Sequence, residues 1–267
     1  MKRPCLFLLF LLASCANPYA QFYQGMPDAR QRRDYDPTEG ELRIYSTTNF
    51  DQDRLALMRR GYIPVGQASF NAAANRVSEG QLREQAIKVG AHVVLVASSY
   101  SHTETGAVPL VLPQTSTSYS TGTATAYGSG GVVNAYGSGT TTTYGTQTMM
   151  MPYSVQRSDF AALFFAKVQA RVGIVPQPLD DATRKRLETN AGIKVLVVME
   201  GSPAFRADIL PGDILLSLGE DRVQSMENYY QLLDKYEGRT VALQLDREGK
   251  SIQKQIEIHP YSKKTSP

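Results

Sequence analysis

The chain has 267 residues, 20% of them charged, and a formal net charge of +3. That length allows one or two domains of ordinary size, and the near balance of charge excludes the strongly basic surface of a nucleic-acid binder. Cys5 and Cys15 are the only cysteines, too few for a disulfide framework or a cysteine zinc site.

Lys2 and Arg3 precede an apolar stretch from Cys5 to Leu12, and Leu12-Ala13-Ser14-Cys15 follows. A charged start, a short apolar stretch and small residues at a cut site predict a secretory signal peptide over residues 1–14. The stretch is far shorter than the roughly 20 residues that cross a bilayer as a helix. Without Lys2 and Arg3 the count is 26 positive against 25 negative residues, so the mature chain is nearly neutral. Leu-Ala-Ser-Cys resembles the lipobox of bacterial lipoproteins. The resemblance implies that Cys15 carries acyl chains such as palmitate and becomes the first mature residue. It also implies a lipid-anchored protein of the bacterial envelope. Ala16, standing where an aspartate would favour the inner membrane, points to the outer membrane facing the periplasm.

Residues 15–40 are rich in Gln, Asp, Arg, Pro and Tyr without sustained periodicity, and they read as a tether. Residues 41–169 read as a small α/β domain. Leu42-Arg43-Ile44-Tyr45 alternates as a strand, Asp51 caps a helix through Arg60 that Gly61 stops, and Tyr62 to Phe70 is a second strand. Ser78 and Gln81 have capping-box spacing for a helix with Leu82, Ala86 and Val89 on one face. The continuous apolar run from His92 to Ala97 predicts a strand buried on both faces. Asp159 to Val168 reads as a strand returning to the same domain.

Between them lies an insertion, residues 113–150, inside a longer stretch from Thr105 to Gln156 without a single charge. From Thr115 to Thr148, 27 of 34 residues are Thr, Ser, Gly or Tyr, and Ala126-Tyr127-Gly128-Ser129-Gly130 recurs nine residues later. The stretch reads equally as a low-complexity linker and as a long two-stranded ribbon of strand-favouring Thr and Tyr. Gly128-Ser129-Gly130-Gly131 superficially resembles the surroundings of a protease nucleophile. Such a serine needs a base held by a third group, and His102 beside Glu104 is the one candidate among His92, His102 and His259. The three histidines lack metal-ligand spacing, so neither a metal nor another cofactor is expected.

Residues 170–260 carry distinctive punctuation, with 261–267 as a tail. Arg171-Val172-Gly173-Ile174 comes first, then a strand from Gly192 to Val198 and Gly201-Ser202-Pro203-Ala204. Leu210-Pro211-Gly212-Asp213-Ile214-Leu215 and a helix capped by Ser225 follow, and the Arg247 to Lys250 hairpin closes the series. These motifs, in this order, resemble the PDZ domains of bacterial HtrA/Deg proteases, over about one third of the chain. The resemblance does not extend to the protease domain that normally precedes such a module, and none is expected in this chain.

The overall fold class implied is α+β: the α/β domain with its insertion, then a PDZ domain, a small partly open barrel with two helices. The resemblance also implies a site in which a partner's extended C-terminus adds to a sheet edge and backbone N–H groups capture its carboxylate. Val172, Gly173 and Ile174 hold the loop position, with Gly173 allowing close backbone approach. Met226, Tyr230 and Leu233, at i, i+4 and i+7, would line the groove, while Tyr229, Leu232 and Tyr236 face the core; the alternative is that all six are core. Arg171 would support the carboxylate or stand solvated. The function expected is non-catalytic binding of proteins or peptide termini, with the membrane as the second partner and no nucleic acid. The alternatives are a surface lipoprotein whose ribbons stack between copies and a serine hydrolase built on Ser129 and His102.

Overall fold

The protein, described here from a computed structural model, is traced over residues 17–261. The expected signal segment and lipidation site Cys15 lie outside the described residues. Among the described residues two compact units are present, one comprising residues 17–100 and 158–261, the other Ser101–Arg157.

The first sheet is built from β1 (Tyr23–Gly25), β2 (Arg43–Ser46), β3 (Tyr62–Ala73), β4 (Val93–Gly128) and β5 (Gly131–Lys167). Its order is β1-β3-β5-β4-β2, with β2 parallel to β4 and β1 antiparallel to β3. Helix α2 (Phe50–Arg59) lies on one face and α3 (Glu79–Lys88) on the other. The apolar run after His92 explains the layering. Val93 and Leu95 join Leu57 and Phe165 on the α2 side, while Val94 joins Leu82, Ala86 and Phe164 on the α3 side. A strand with helices on both faces needs apolar side chains at successive positions.

The capping box at α3 forms as its spacing requires, with Ser78 accepting from the Gln81 N–H and the Gln81 side chain accepting from Ser78 N–H. At α2 the cap is Asn49, which accepts from the Gln52 N–H, and not Asp51. Asp51 sits within the first turn, where a carboxylate favours the positive end of the helix dipole.

Residues 17–40 are not a loose tether. Helix α1 (Pro18–Gln21) is capped by Asn17, and the Tyr19 ring packs edge-on against Phe70 at 5.0 Å. β1 extends the sheet, Ala29 is fully buried, and Tyr35 stacks on His92. A few aromatic anchors pin a segment whose average composition is polar, and composition averages hide anchors of this kind.

In the C-terminal domain, β6 (Ile174–Gln177), β7 (Ile193–Val198), β8 (Ile214–Leu218), β10 (Thr240–Arg247) and β11 (Lys250–Glu257) form a sheet in the order β11-β10-β8-β7-β6. The short β9 (Asp221–Arg222) pairs with β8. Helices α4 (Asp181–Leu187), α5 (Pro203–Arg206) and α6 (Met226–Lys235) begin at side-chain caps supplied by Asp180, Ser202 and Ser225. The core gathers Leu215, Leu218, Leu243 and Leu245 from the sheet with Tyr229 and Leu232 from α6 and Tyr236 at its C-terminal cap. Asp213, only 1% exposed, is held by both arms of the Arg247 guanidinium at 2.7 and 2.8 Å and accepts the Leu210 N–H. A buried carboxylate survives because charged donors replace its water.

The second unit is the outer part of β4 and β5, a hairpin turning at Ser129–Gly130. Of the two readings of the charge-free stretch, the chain adopts the ribbon. Its side chains are almost all exposed, Tyr119, Tyr127, Tyr136 and Tyr144 at 81–83%.

Candidate functional site

β6 is the terminal strand of its sheet, so one of its edges is unpaired among the named strands. The loop that enters it has a particular hydrogen-bond economy. The Val172 carbonyl accepts from Ala204 N–H and the Gly173 carbonyl from Met199 N–H, both short of 3.0 Å. The N–H groups of Val172 and Gly173, in contrast, donate to no protein acceptor among the described residues. Carbonyls turned inward and adjacent N–H groups left over make the concavity that binds an anion.

Gly173 has φ of +84°, a conformation that favours glycine. The direction of its missing side chain corrects one expectation. A Cβ there would stand 2.1 Å from the Ser202 Cβ and 2.2 Å from its Oγ, inside the domain, rather than in the path of an approaching carboxylate. Ser202 is buried, donates to the Met199 carbonyl and caps α5. The glycine is required because the loop packs on the α5 cap.

Facing β6 across a cavity of about 500 Å³ is α6. Val172, Gly173 and Ile174 line one side, and Met226, Tyr230 and Leu233 the other. Val172, Ile174 and Leu233 are buried and belong to the core as well, so they form the floor. Tyr230 is 49% exposed and stands at the mouth. Tyr229, placed in the core by its spacing, is 1% exposed and also reaches the cavity wall. Pro176 lies on the edge strand, and having no N–H it ends the row of donors that β6 offers. A segment pairing with this edge therefore gains its main-chain bonds over a few residues only.

Arg171 is neither solvated nor aimed at the cavity alone. It is 7% exposed. Its guanidinium donates to Asp234 Oδ1 at 2.6 Å, to the Leu233 carbonyl and to the His259 carbonyl at 3.3 Å, and it lies 4.1 Å from the centre of the Tyr261 ring. The His259 N–H returns a bond to the Arg171 carbonyl. Arg171 thus ties the loop to the C-terminal end of α6 and sets the separation of the two walls.

The first domain also borders the cavity, which no motif in the sequence signals. Arg32, Arg33 and Asp34 line it, with Met58, Ile63 and Pro64. The domains are joined nearby, where Glu200 N–H donates to the Arg59 carbonyl at 2.7 Å. Arg32 and Asp34 pair with each other at 2.8 Å, so the first domain brings a largely self-neutralised polar rim to the apolar floor. Tyr261, assigned to the tail, is a lining residue too.

Ser129 and His102 are not brought together. Ser129 is at the tip of the ribbon and His102, 3.1 Å from the Ser101 hydroxyl, is at its base. At about 3.3 Å per residue along a strand the two stand tens of ångströms apart. Among the described residues no group of three or more His, Cys, Asp and Glu side chains could hold a metal, and no helix is long and apolar enough to cross a membrane.

Residues 170–258 match the PDZ domain family. This part of the chain is a PDZ domain. Over 83 residues it is 36% identical to a probable periplasmic serine endoprotease, DegP-like, from Halomonas elongata, a match spanning 31% of this chain but 17% of that protein. Solved structures with similarity include the HtrA3 PDZ domain bound to a phage-derived ligand, 19% identical with TM-score 0.30, covering 33% of this chain and 84% of that one. The HtrA-type protease AlgW with decapeptide is 19% identical with TM-score 0.30, over 36% of each chain. The serine endoprotease from Yersinia pestis is 24% identical with TM-score 0.26, covering 36% of this chain and 38% of that one. The 36% identity makes this domain similar to part of a DegP-like protease, and its loop and α6 are the two walls of the cavity described above.

Proposed function

We propose that the protein is a non-catalytic binding protein of the bacterial envelope, anchored by lipid at Cys15, whose PDZ groove captures an extended peptide terminus. The observation that carries this reading is the pair of unengaged N–H groups on Val172 and Gly173, set at the start of an unpaired strand edge and above an apolar floor. The ligand's last residues add to β6, its carboxylate accepts from the two N–H groups, and its final side chain enters between Ile174, Met226 and Leu233. The apolar floor favours an apolar last residue. With Pro176 limiting the paired length, affinity belongs in the micromolar range, about −8 kcal/mol or weaker. The likeness to a periplasmic protease's PDZ domain supports the compartment, and the Leu12-Ala13-Ser14-Cys15 motif supports the anchor.

The reading is tested with a C-terminal peptide library on the full chain and on Tyr230→Asp. Tyr230 is at the mouth and outside the core, so a charge there leaves thermal unfolding nearly unchanged and weakens binding of apolar-ended peptides at least tenfold. Undiminished binding by the variant places the ligand elsewhere.

A further inference from the structure

The ribbon has two chemically different faces. A Cβ built on Gly106 would meet the Tyr153 ring at 2.6 Å, and one built on Gly139 would lie 3.4 Å from the Ser120 hydroxyl. Even-numbered positions of β4 therefore share a face with odd-numbered positions of β5, at both the base and the outer half. It follows that Tyr119 and Tyr127 of β4 lie on the same face as Tyr136 and Tyr144 of β5, interspersed with Thr115, Thr121, Thr125, Thr140 and Thr142. The opposite face of this outer half has no tyrosine and is built mostly of small residues, among them Ser118, Gly122, Ala124, Ala135 and Gly137, with Gln114, Val133, Thr141 and Thr143 between them.

The edges differ along the ribbon as well. Prolines 109, 113 and 152 lie in the basal part, and they blunt an edge because a proline's nitrogen cannot donate to an added strand. From Gln114 to Gly145 there is neither a proline nor a charge, although 20% of the whole chain is charged. Soluble proteins protect long exposed edges with lysine, proline or a cover, and two strands alone are marginal in water. Here about thirty residues of strand present open edges with no such protection. An occupant must be an extended segment that brings no charge to be matched, and this ribbon itself has that chemistry.

We propose that residues 114–145 are an assembly surface on which a second copy of this chain adds its own ribbon edge to edge. The joined sheet then continues the Tyr/Thr face on one side and the small-residue face on the other, with aromatic and Thr pairs across the new seam. Because the segment has no charge, copies approach without repulsion. The basal prolines confine the pairing to the outer half of the ribbon.

The test is sedimentation of the full-length protein in mild detergent over a range of concentrations. The wild type is expected to associate, and the double variant Thr121→Lys, Thr142→Lys to associate at least tenfold more weakly, because like charges then face each other along the seam. Thr121→Val with Thr142→Val, which keeps strand preference without charge, is expected to associate as the wild type does. Residues 114–145 belong to none of the hydrophobic core clusters, so thermal unfolding and peptide binding report separately that the variants are folded. A wild type that stays monomeric overturns the proposal, as does a lysine variant that associates undiminished.

Discussion

At the scale of single residues, Gly173 and Arg171 show how one position is read differently by sequence and by packing. The pattern Arg171-Val172-Gly173-Ile174 was enough to locate the loop, because glycine at that place signals backbone that side chains must avoid. It was not enough to say what the absent side chain would strike, since Ser202 is 29 positions away and only the fold brings it within 2.1 Å. The consequence is a prediction. Gly173→Ala combines a left-handed backbone with a clash against the α5 cap, so it should lower unfolding free energy by about 2–4 kcal/mol. A chemical-denaturation midpoint equal to that of the wild type would show that the loop has room the structure does not indicate. Arg171 makes the same point in reverse: its place beside a loop allows either a solvated charge or a carboxylate support, whereas three acceptors and an aromatic ring enclose it.

At the scale of elements, regular periodicity was legible and isolated anchors were not. The run from His92, the Ser78 to Gln81 cap and the 3–4 spacing of Met226, Tyr230 and Leu233 each found the element they predict, because a repeating pattern averages over its neighbours. Tyr19, Tyr23 and Tyr35 form no repeating pattern, so the polar composition of the segment they pin reads as a tether. The rim formed by Arg32, Arg33 and Asp34 was illegible for the same reason. His92 makes the attachment of this segment measurable. Its Nδ1 accepts the Lys167 N–H at 3.0 Å, so the proton sits on Nε2, 3.0 Å from the Tyr35 hydroxyl. Burial holds its pKa below the ordinary imidazole value. The folded state then binds fewer protons than the unfolded one below about pH 6.5, so the stabilisation is complete above that pH and is lost as pH falls toward the folded value. Stability measured between pH 7.5 and 5 should decline in the wild type and decline less in His92→Asn, whose Oδ1 can keep the Lys167 bond. Parallel curves for the two proteins would place the titration on another group.

At the scale of the whole molecule, the chain divides its chemistry between a groove and a ribbon. The groove has an apolar floor, a polar rim and a pair of unspent N–H groups, which suits weak and selective capture of a chain end. The ribbon has open edges and no charge, which suits joining copies. With both proposals in force the chain would form a multivalent array, in which micromolar grooves gain avidity without any new contact. Both halves of that picture depend first on the groove binding a terminus through its carboxylate. The measurement that tests this most directly is a calorimetric titration of the full chain with one apolar-ended peptide, prepared once with a free carboxylate and once amidated. Val172 and Gly173 N–H groups donate to the carboxylate in this account, so amidation should weaken binding at least tenfold, about 1.4 kcal/mol. Equal affinity for the two forms would contradict terminal capture.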